Sequence, residues 1–271
     1  MSQSSDDRYF EIAGAKLRYR DSGAGPAVVL VHGWTLDLDV WGPQALNLTD
    51  AFRVIRMDRR SYGLSHGRPS LHDDVNDMVE LLRRLEVQRF ALVGMSQGAR
   101  IVLKLTDLNP KRVMALILDG PPFIEAAPPG MPPEIPYDQY RAIAVTKGMP
   151  VFRREWRKHA LTRLQTQNPE MRELLDAMLE RYRGSDLTDS SPPQAFPIDL
   201  QKIARSAVPT LILSGEFDLP TRQQSAQWLA EHLTGSIRQE IPNAGHLSGL
   251  DNPDAYNRAV KDFLIQHATG Q

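Results

Sequence analysis

The sequence predicts an α/β fold: a mostly parallel central sheet flanked by helices, with one helical segment inserted into it. Three observations predict this. Several strands read as continuous apolar runs, Ala27–Val31, Phe90–Val93 and Val113–Leu118 among them, as expected for strands covered on both faces. These runs alternate with stretches of helical periodicity through short connections, the pattern of parallel βαβ units. The alternation breaks once, after residue 121, and resumes at Pro209-Thr210-Leu211-Ile212-Leu213.

Residues 1–7 are polar and expected to fray. Tyr9–Ile12 and Lys16–Arg20 alternate and flank Ala13-Gly14-Ala15, which predicts an antiparallel hairpin at a sheet edge. After the strand Ala27–Val31, residues 38–51 carry Leu38, Val40, Trp41, Leu46 and Leu48 at loosely helical spacing, and Phe52–Met57 is the next strand. Val75, Met78, Val79, Leu82 and Leu85 predict a helix over Ser70–Leu85. The strand Phe90–Val93 runs into a helix with Ile101, Val102 and Leu105 on one face, which Asn109-Pro110 ends. Thr210–Ser214 then predicts a strand, Arg222–Leu233 a helix, Ile237–Ile241 a strand and Pro253–Gln266 an amphipathic helix.

Residues 121–136 hold Pro121, Pro122, Pro128, Pro129, Pro132, Pro133 and Pro136, a density incompatible with a helix or a central strand. Residues 137–184 are helical in pattern and heavily charged, and Ser190–Pro197 is irregular again. The division this predicts is a core of residues 1–121 and 201–271 and a helical cap, or lid, of residues 122–200. The basic cluster Arg153, Arg154, Arg157 and Lys158 is interspersed with acids and reads as a solvated cap face.

The chain has 271 residues, 41% of them hydrophobic, a formal net charge of -1 and no cysteine. That length fits one large α/β domain carrying an insertion. The charge gives no footprint for nucleic acid or an acidic membrane. The lack of cysteine removes disulfides, thiolate metal sites and a cysteine nucleophile. No leader segment and no run of about 18 apolar residues is evident, so a cytoplasmic location is expected, with no membrane or nucleic-acid partner. Nothing in the sequence sets the oligomeric state.

The chemistry centres on Gly94-Met95-Ser96-Gln97-Gly98, G-x-S-x-G between a strand and a helix. A strand that turns at once into a helix crowds its own backbone, so glycines flank the turn and the apex serine is lifted clear of the sheet in a strained conformation. Chemistry in open parallel sheets gathers at the carboxyl ends of strands. His32-Gly33-Trp34, Ser96, Asp218 and His246 all fall there, as does Asp119, a rival acid. A serine hydroxyl attacks well only when a base takes its proton. His246, after a late strand in a Gly-His loop, is the candidate base, and Asp218 or Asp119 would orient it.

Together, the hairpin start, the His32-Gly33 loop, Asp58-Arg59-Arg60-Ser61-Tyr62-Gly63-Leu64-Ser65, the G-x-S-x-G turn, Gly215-Glu216-Phe217-Asp218 and Gly245-His246 resemble the α/β-hydrolase superfamily, its Ser-Asp-His esterase/lactonase-like branch with a helical cap. The resemblance covers nearly the whole chain. It implies the α/β-hydrolase fold, a catalytic Ser96, Asp218 and His246, and an oxyanion hole from the backbone N–H groups of Trp34 and Gln97. It implies no cofactor and no metal. His32 is expected to hold its loop by hydrogen bonding. Ser61 stands where the family usually has glycine, which puts the detail of that turn in question.

The activity implied is hydrolysis of a small carboxylic ester or lactone through an acyl-enzyme. The serine at the turn excludes relatives whose chemistry needs aspartate there. C–C bond hydrolases and cofactor-free perhydrolases share the triad. The His-Gly-Trp start with Asp37 is also similar to cofactor-free dioxygenases, and a non-catalytic ligand receptor can use the same fold. The substrate pocket is expected to include Trp34, Phe123, Tyr140 and Trp156, with Tyr137, Phe152 and Tyr182 as further apolar candidates.

Overall fold

The computed structural model describes residues 6–124, 133–189 and 194–269. The strands are β1 (Arg8–Ile12), β2 (Ala15–Ser22), β3 (Ala27–Val31), β4 (Arg53–Met57), β5 (Phe90–Met95), β6 (Val113–Asp119), β7 (Thr210–Gly215) and β8 (Ile237–Ile241). They form one sheet in the order β1-β2-β4-β3-β5-β6-β7-β8. β1 and β2 form the expected hairpin, and β2 pairs antiparallel with β4. From β4 to β8 every neighbouring pair is parallel. Ala13 and Gly14, the two residues between β1 and β2, have φ of 40° and 76°, as a two-residue type I′ turn requires.

Helices cover both faces. α1 (Gly42–Leu48) and α11 (Pro253–Ala268) lie on one, and α2 (Leu71–Arg84), α3 (Gln97–Leu108), α8 (Leu200–Ser206) and α9 (Pro220–His232) on the other. The pleat of β3 divides its fully buried side chains accordingly. Val28 and Leu30 pack with Ala45, Leu48 and Val260, and Val29 and Val31 with Met78, Ile101 and Leu229. Two-sided burial is what the unbroken apolar runs predict.

Between β6 and β7 lie α4 (Tyr137–Lys147), α5 (Met149–Trp156), α6 (Pro169–Arg181) and α7 (Ser185–Thr188). Pro128, Pro129, Pro132, Pro192 and Pro193 fall outside the described residues. The helices pack on the core through an aromatic cluster. Trp34, from the loop after β3, meets Trp156 edge-on at 4.8 Å and lies 6.1 Å from both Phe152 and Tyr182. Polar links add direction. Trp156 Nε1 donates to Thr35 Oγ1 at 2.8 Å, and Trp34 Nε1 to Asp186 at 2.6 Å. Arg181 donates to Asp37 and Asp39 at 2.8 and 2.7 Å. The cluster Arg153, Arg157 and Lys158 pairs with Glu180, Asp176 and Glu155 on the same surface.

The structure departs from the sequence reading at short elements. The helix expected over residues 38–51 is a 3₁₀ turn, Leu38–Trp41, followed by α1. Pro43 lacks the N–H to continue the preceding turn and suits the start of a new helix. α9 begins at Pro220, two residues before the expected start, for the same reason. α7, α8 and α10 (Ser248–Asp251) are too short for their periodicity to show. No described helix is long and apolar enough to cross a membrane.

A buried charge cluster fixes the loops after β3 and β4. Arg18 is 2% exposed, and its guanidinium pairs with Asp58 at 2.7 Å. Asp58 also accepts the backbone N–H of Leu38 and of Leu64, each at 2.8 Å. One carboxylate therefore ties the strand β2 to both loops. Removing one partner of such a cluster strands a buried charge. Asp58→Ala should lower the unfolding free energy by about 3–5 kcal/mol, measured by urea denaturation against the parent protein.

Candidate active site

β5 ends at Met95 and α3 begins at Gln97, leaving Ser96 alone at the corner with φ 53° and ψ -119°. The flanking glycines make the corner possible. A Cβ on Gly94 would lie 2.5 Å from Gly98 O and from Val102 Cγ2, and one on Gly98 would run into Val31 O. The Ser96 N–H donates to Asp119 O at 2.8 Å, which ties the corner to the end of β6. Ser96 also stands at the N-terminus of α3, where backbone N–H groups point outward and the helix dipole favours negative charge.

Asp218 and His246 arrive from neighbouring loops. A Cβ on Gly215 would clash with the carbonyls of Ala244 and Gly245, so the loops after β7 and β8 lie backbone to backbone. The Phe217 N–H donates to Ala244 O at 2.8 Å. His246 Nδ1 sits 3.1 and 3.0 Å from the two carboxylate oxygens of Asp218. Both residues are buried. Asp251, in α10, accepts the N–H of Gly245 at 2.8 Å and those of Gln165 and Thr166 at 2.6 and 3.1 Å. The same carboxylate thereby steadies the histidine loop and the segment before α6.

Asp119 takes a different position. Its Oδ1 accepts from Ser248 Oγ at 2.9 Å, and no described hydrogen bond joins its carboxyl to His246. Burial, with some repulsion from Asp218, pushes its pKa up to about 8.

A narrow cavity of about 20 Å³ is walled by Gly33, Trp34, Leu36, Ser96, Trp156 and His246, with Ile135, Leu161, Thr162 and Leu247 among the rest. Trp34 and Trp156 thus line this cavity, and Tyr140 and Phe123 do not. Tyr140 is one layer back, edge-on to Trp156 at 5.4 Å and to Phe152 at 5.5 Å, and Phe123 is partly exposed outside these walls. Phe152 and Tyr182 are buried glue between the helices and Trp34. Aromatic content marks an apolar interior, but only backbone direction decides which rings face the cavity.

His32 is a loop holder. Its Nε2 accepts from the Arg59 N–H at 3.1 Å, so the neutral ring carries its proton on Nδ1 and donates to Gly33 O at 2.8 Å. Burial and the nearby Arg59 guanidinium hold its pKa well below the ordinary histidine value. Ser61 has φ 67°, which accounts for the glycine usual there, and its Oγ donates to Gly67 O at 2.5 Å. The side-chain carbonyl of Gln97 accepts from Arg59 at 2.8 Å.

One buried residue at the site has no sequence motif. Arg222, in the first turn of α9, is 3% exposed. Its Nη1 donates to Ser96 Oγ at 3.3 Å and to Gly120 O at 2.8 Å, and its Nε to Glu134 at 2.6 Å. Among the described residues, Arg222 and not His246 is the hydrogen-bond partner of Ser96 Oγ. His159, stacked on Trp156 at 4.7 Å, shares a 3.1 Å hydrogen bond with Glu134 O. The available signal is Pro220, which starts α9 so that Arg222 falls in its first turn, next to the carboxyl edge of the sheet.

Comparison with known proteins agrees with this architecture. The model of the α/β-hydrolase fold family matches residues 26–253. The chain belongs to that family, and it is a hydrolytic enzyme of the esterase/lactonase-like kind. Among its relatives is a pimeloyl-[acyl-carrier protein] methyl ester esterase of Nitrosomonas europaea, 25% identical over 89% of this chain and 97% of the relative. Another is a putative non-heme chloroperoxidase of Synechocystis, 28% identical over 92% and 94%. Among solved structures, an enol-lactonase of Burkholderia xenovorans LB400 superposes with a TM-score of 0.77 at 25% identity, over 95% of this chain and 100% of that one.

The raised pKa of Asp119 has a sign that can be checked. The folded protein holds this proton to higher pH than the unfolded chain, whose carboxyl has its ordinary value near 3.8. Asp119 therefore contributes stability that is full below about pH 4 and falls away as pH rises through about 8. Asp119→Asn, neutral throughout, should flatten the decline of unfolding free energy between pH 5 and pH 8, as followed by urea denaturation at about half-unit pH steps.

Proposed function

We propose that this enzyme hydrolyses small carboxylic esters or lactones through an acyl-enzyme on Ser96. The observation that carries the reading is the left-handed Ser96 at the helix corner, sharing one cavity with a histidine whose Nδ1 is held by a buried aspartate. With Nδ1 engaged by Asp218, Nε2 of His246 is the nitrogen left to take the serine proton. The hydroxyl turns from Arg222 towards it as substrate enters.

Ser96 Oγ then attacks the carbonyl carbon while its proton passes to His246 Nε2, and Asp218 stabilises the imidazolium. The negative charge moves to the carbonyl oxygen, where the backbone N–H groups of Gln97 and Trp34 meet it. Collapse breaks the C–O bond, and the leaving alkoxide takes the proton from Nε2. For a lactone the leaving group stays attached to the acyl chain. Water attacks the acyl carbon, gives a proton to His246 and releases the acid, and Ser96 recovers its proton.

Residues 122–200 are assigned as a helical cap on a core of residues 1–121 and 201–271. Ile135, Trp156, Leu161 and Thr162 come from that segment and line the cavity beside Ser96, which supports a role in substrate choice. A dioxygenase relying on Asp37 is less well supported. That carboxylate accepts from Arg181 at 2.8 Å and lies 3.8 Å from Arg18, so it is committed to the buried charge cluster.

Purified protein assayed with short p-nitrophenyl esters tests the assignment. Ser96→Ala should lower kcat by roughly 10⁴- to 10⁶-fold. Asp218→Asn should cost roughly 10⁴-fold, because the neutral amide no longer holds the right tautomer, and Asp119→Asn far less. Near parental activity in Ser96→Ala, or a larger loss in Asp119→Asn than in Asp218→Asn, would contradict the scheme.

Leu161→Ala opens the cavity wall. It should move the kcat/KM profile towards longer acyl chains by roughly 1–3 kcal/mol per added good contact. An unchanged chain-length profile in a folded variant would remove this wall from the acyl site.

A further inference from the structure

Arg222 is unusual in what it touches. A guanidinium buried for structural reasons needs a carboxylate and some carbonyls, and Arg222 has Glu134 and Gly120 O. It has in addition the hydroxyl of Ser96. Of its five N–H donors, three are used in these contacts. The two on Nη2 have no hydrogen-bond partner among the described residues. Arg222 is not a wall of the cavity lined by Trp34, Leu36, Trp156 and Leu161. It reaches the nucleophile from outside that apolar space, so the reacting centre has an apolar side and a cationic side.

Gly120 separates Arg222 from His246: its carbonyl accepts from Arg222, and a Cβ on it would lie 2.8 Å from His246 Cε1.

We propose that Arg222 is a specificity-determining residue that takes a carboxylate carried by the substrate, so that the preferred substrates are esters or lactones bearing a free carboxylate near the scissile carbonyl. The proposal rests on the reading of Ser96 as nucleophile. Glu134 is then the resident partner of the guanidinium. The incoming carboxylate engages the unused Nη2 and the Nη1 donor now given to Ser96. Displaced from Arg222, the serine hydroxyl is free to face His246. A planar guanidinium suits this exchange because its fork can accept two oxygens at once.

The test uses esters matched in size: monoethyl succinate, glutarate and adipate against ethyl butyrate, valerate and hexanoate, with hydrolysis followed by pH-stat. The parent enzyme should favour the anionic member of at least one pair by roughly ten- to a hundredfold in kcat/KM, the range of a charge-assisted hydrogen-bonded pair. Arg222→Gln should abolish that ratio. Glu134→Gln should raise it, by lowering KM for the anionic ester, because Arg222 loses its resident competitor. The opposite signs separate a recognition role from a merely structural ion pair, whose two variants would fail alike.

Equal rates on every pair, or a preference that survives Arg222→Gln, overturns the proposal. If Arg222→Gln does not fold, the Glu134→Gln ratio decides. Failure of the underlying reading has its own signature: no ester is turned over and a fluorophosphonate leaves Ser96 unlabelled. Calorimetry then decides Arg222 separately. Monoethyl glutarate should bind Ser96→Ala and lose at least tenfold in affinity when Arg222→Gln is added; equal binding would reject the site.

Discussion

The structure depends on one close approach, that of α3 to the ends of β3 and β5. Gly94 meets Gly98 and Val102, and Gly98 lies against the carbonyl of Val31, at separations that exclude any side chain. Because the helix lies so low over the sheet, its first turn and Ser96 stand at the carboxyl edge and not above the face. Everything that surrounds Ser96 is then placed by the sheet order. β3 on one side delivers Gly33 and Trp34, β6 on the other delivers Asp119 and Gly120, and β7 and β8 deliver Asp218 and His246.

Buried charge does the remaining positioning. Asp58 ties β2 to the loops after β3 and β4, Asp251 ties the histidine loop to the segment before α6, and Asp37 and Asp39 receive Arg181. Each is a short carboxylate with several oxygen lone pairs, able to satisfy backbone donors from separate stretches of chain. The loops around Ser96 are thereby held without regular secondary structure, as satisfied buried polar groups can do.

The central sheet was legible because two-sided burial writes itself as unbroken apolar runs, as in Ala27–Val31 and Phe90–Val93. The positions of Ser96 and Asp218 at strand ends were legible for a related reason, since each follows such a run; His246 follows the mostly exposed β8, Ile-Arg-Gln-Glu-Ile, and was marked by the glycine beside it. What was not legible depends on side-chain direction. Tyr140 and Trp156 are both apolar aromatics on consecutive helices, yet only Trp156 reaches the cavity. Arg222 looks like any arginine at a helix start, because nothing local records that α9 begins against Ser96. Short helices such as α8 and α10 contain too few turns for a period to emerge.

The insertion between β6 and β7 has a consequence for how the chain reaches this state. Leu116 of β6 pairs in register with Thr210 of β7, 94 residues later (210 minus 116). By contrast, Val29 of β3 and Leu92 of β5 are 63 apart (92 minus 29). Closing the longer loop adds little to the equilibrium cost, since that cost grows only with the logarithm of loop length. It does matter for the order of events, because pairings distant in sequence form late. During synthesis β6 therefore emerges with an apolar, unpaired edge and waits while the whole intervening segment is made. An open edge of that kind is a template for pairing with another chain. The segment that lines the cavity beside Ser96 thus also sets how long the growing sheet stays vulnerable to misassembly.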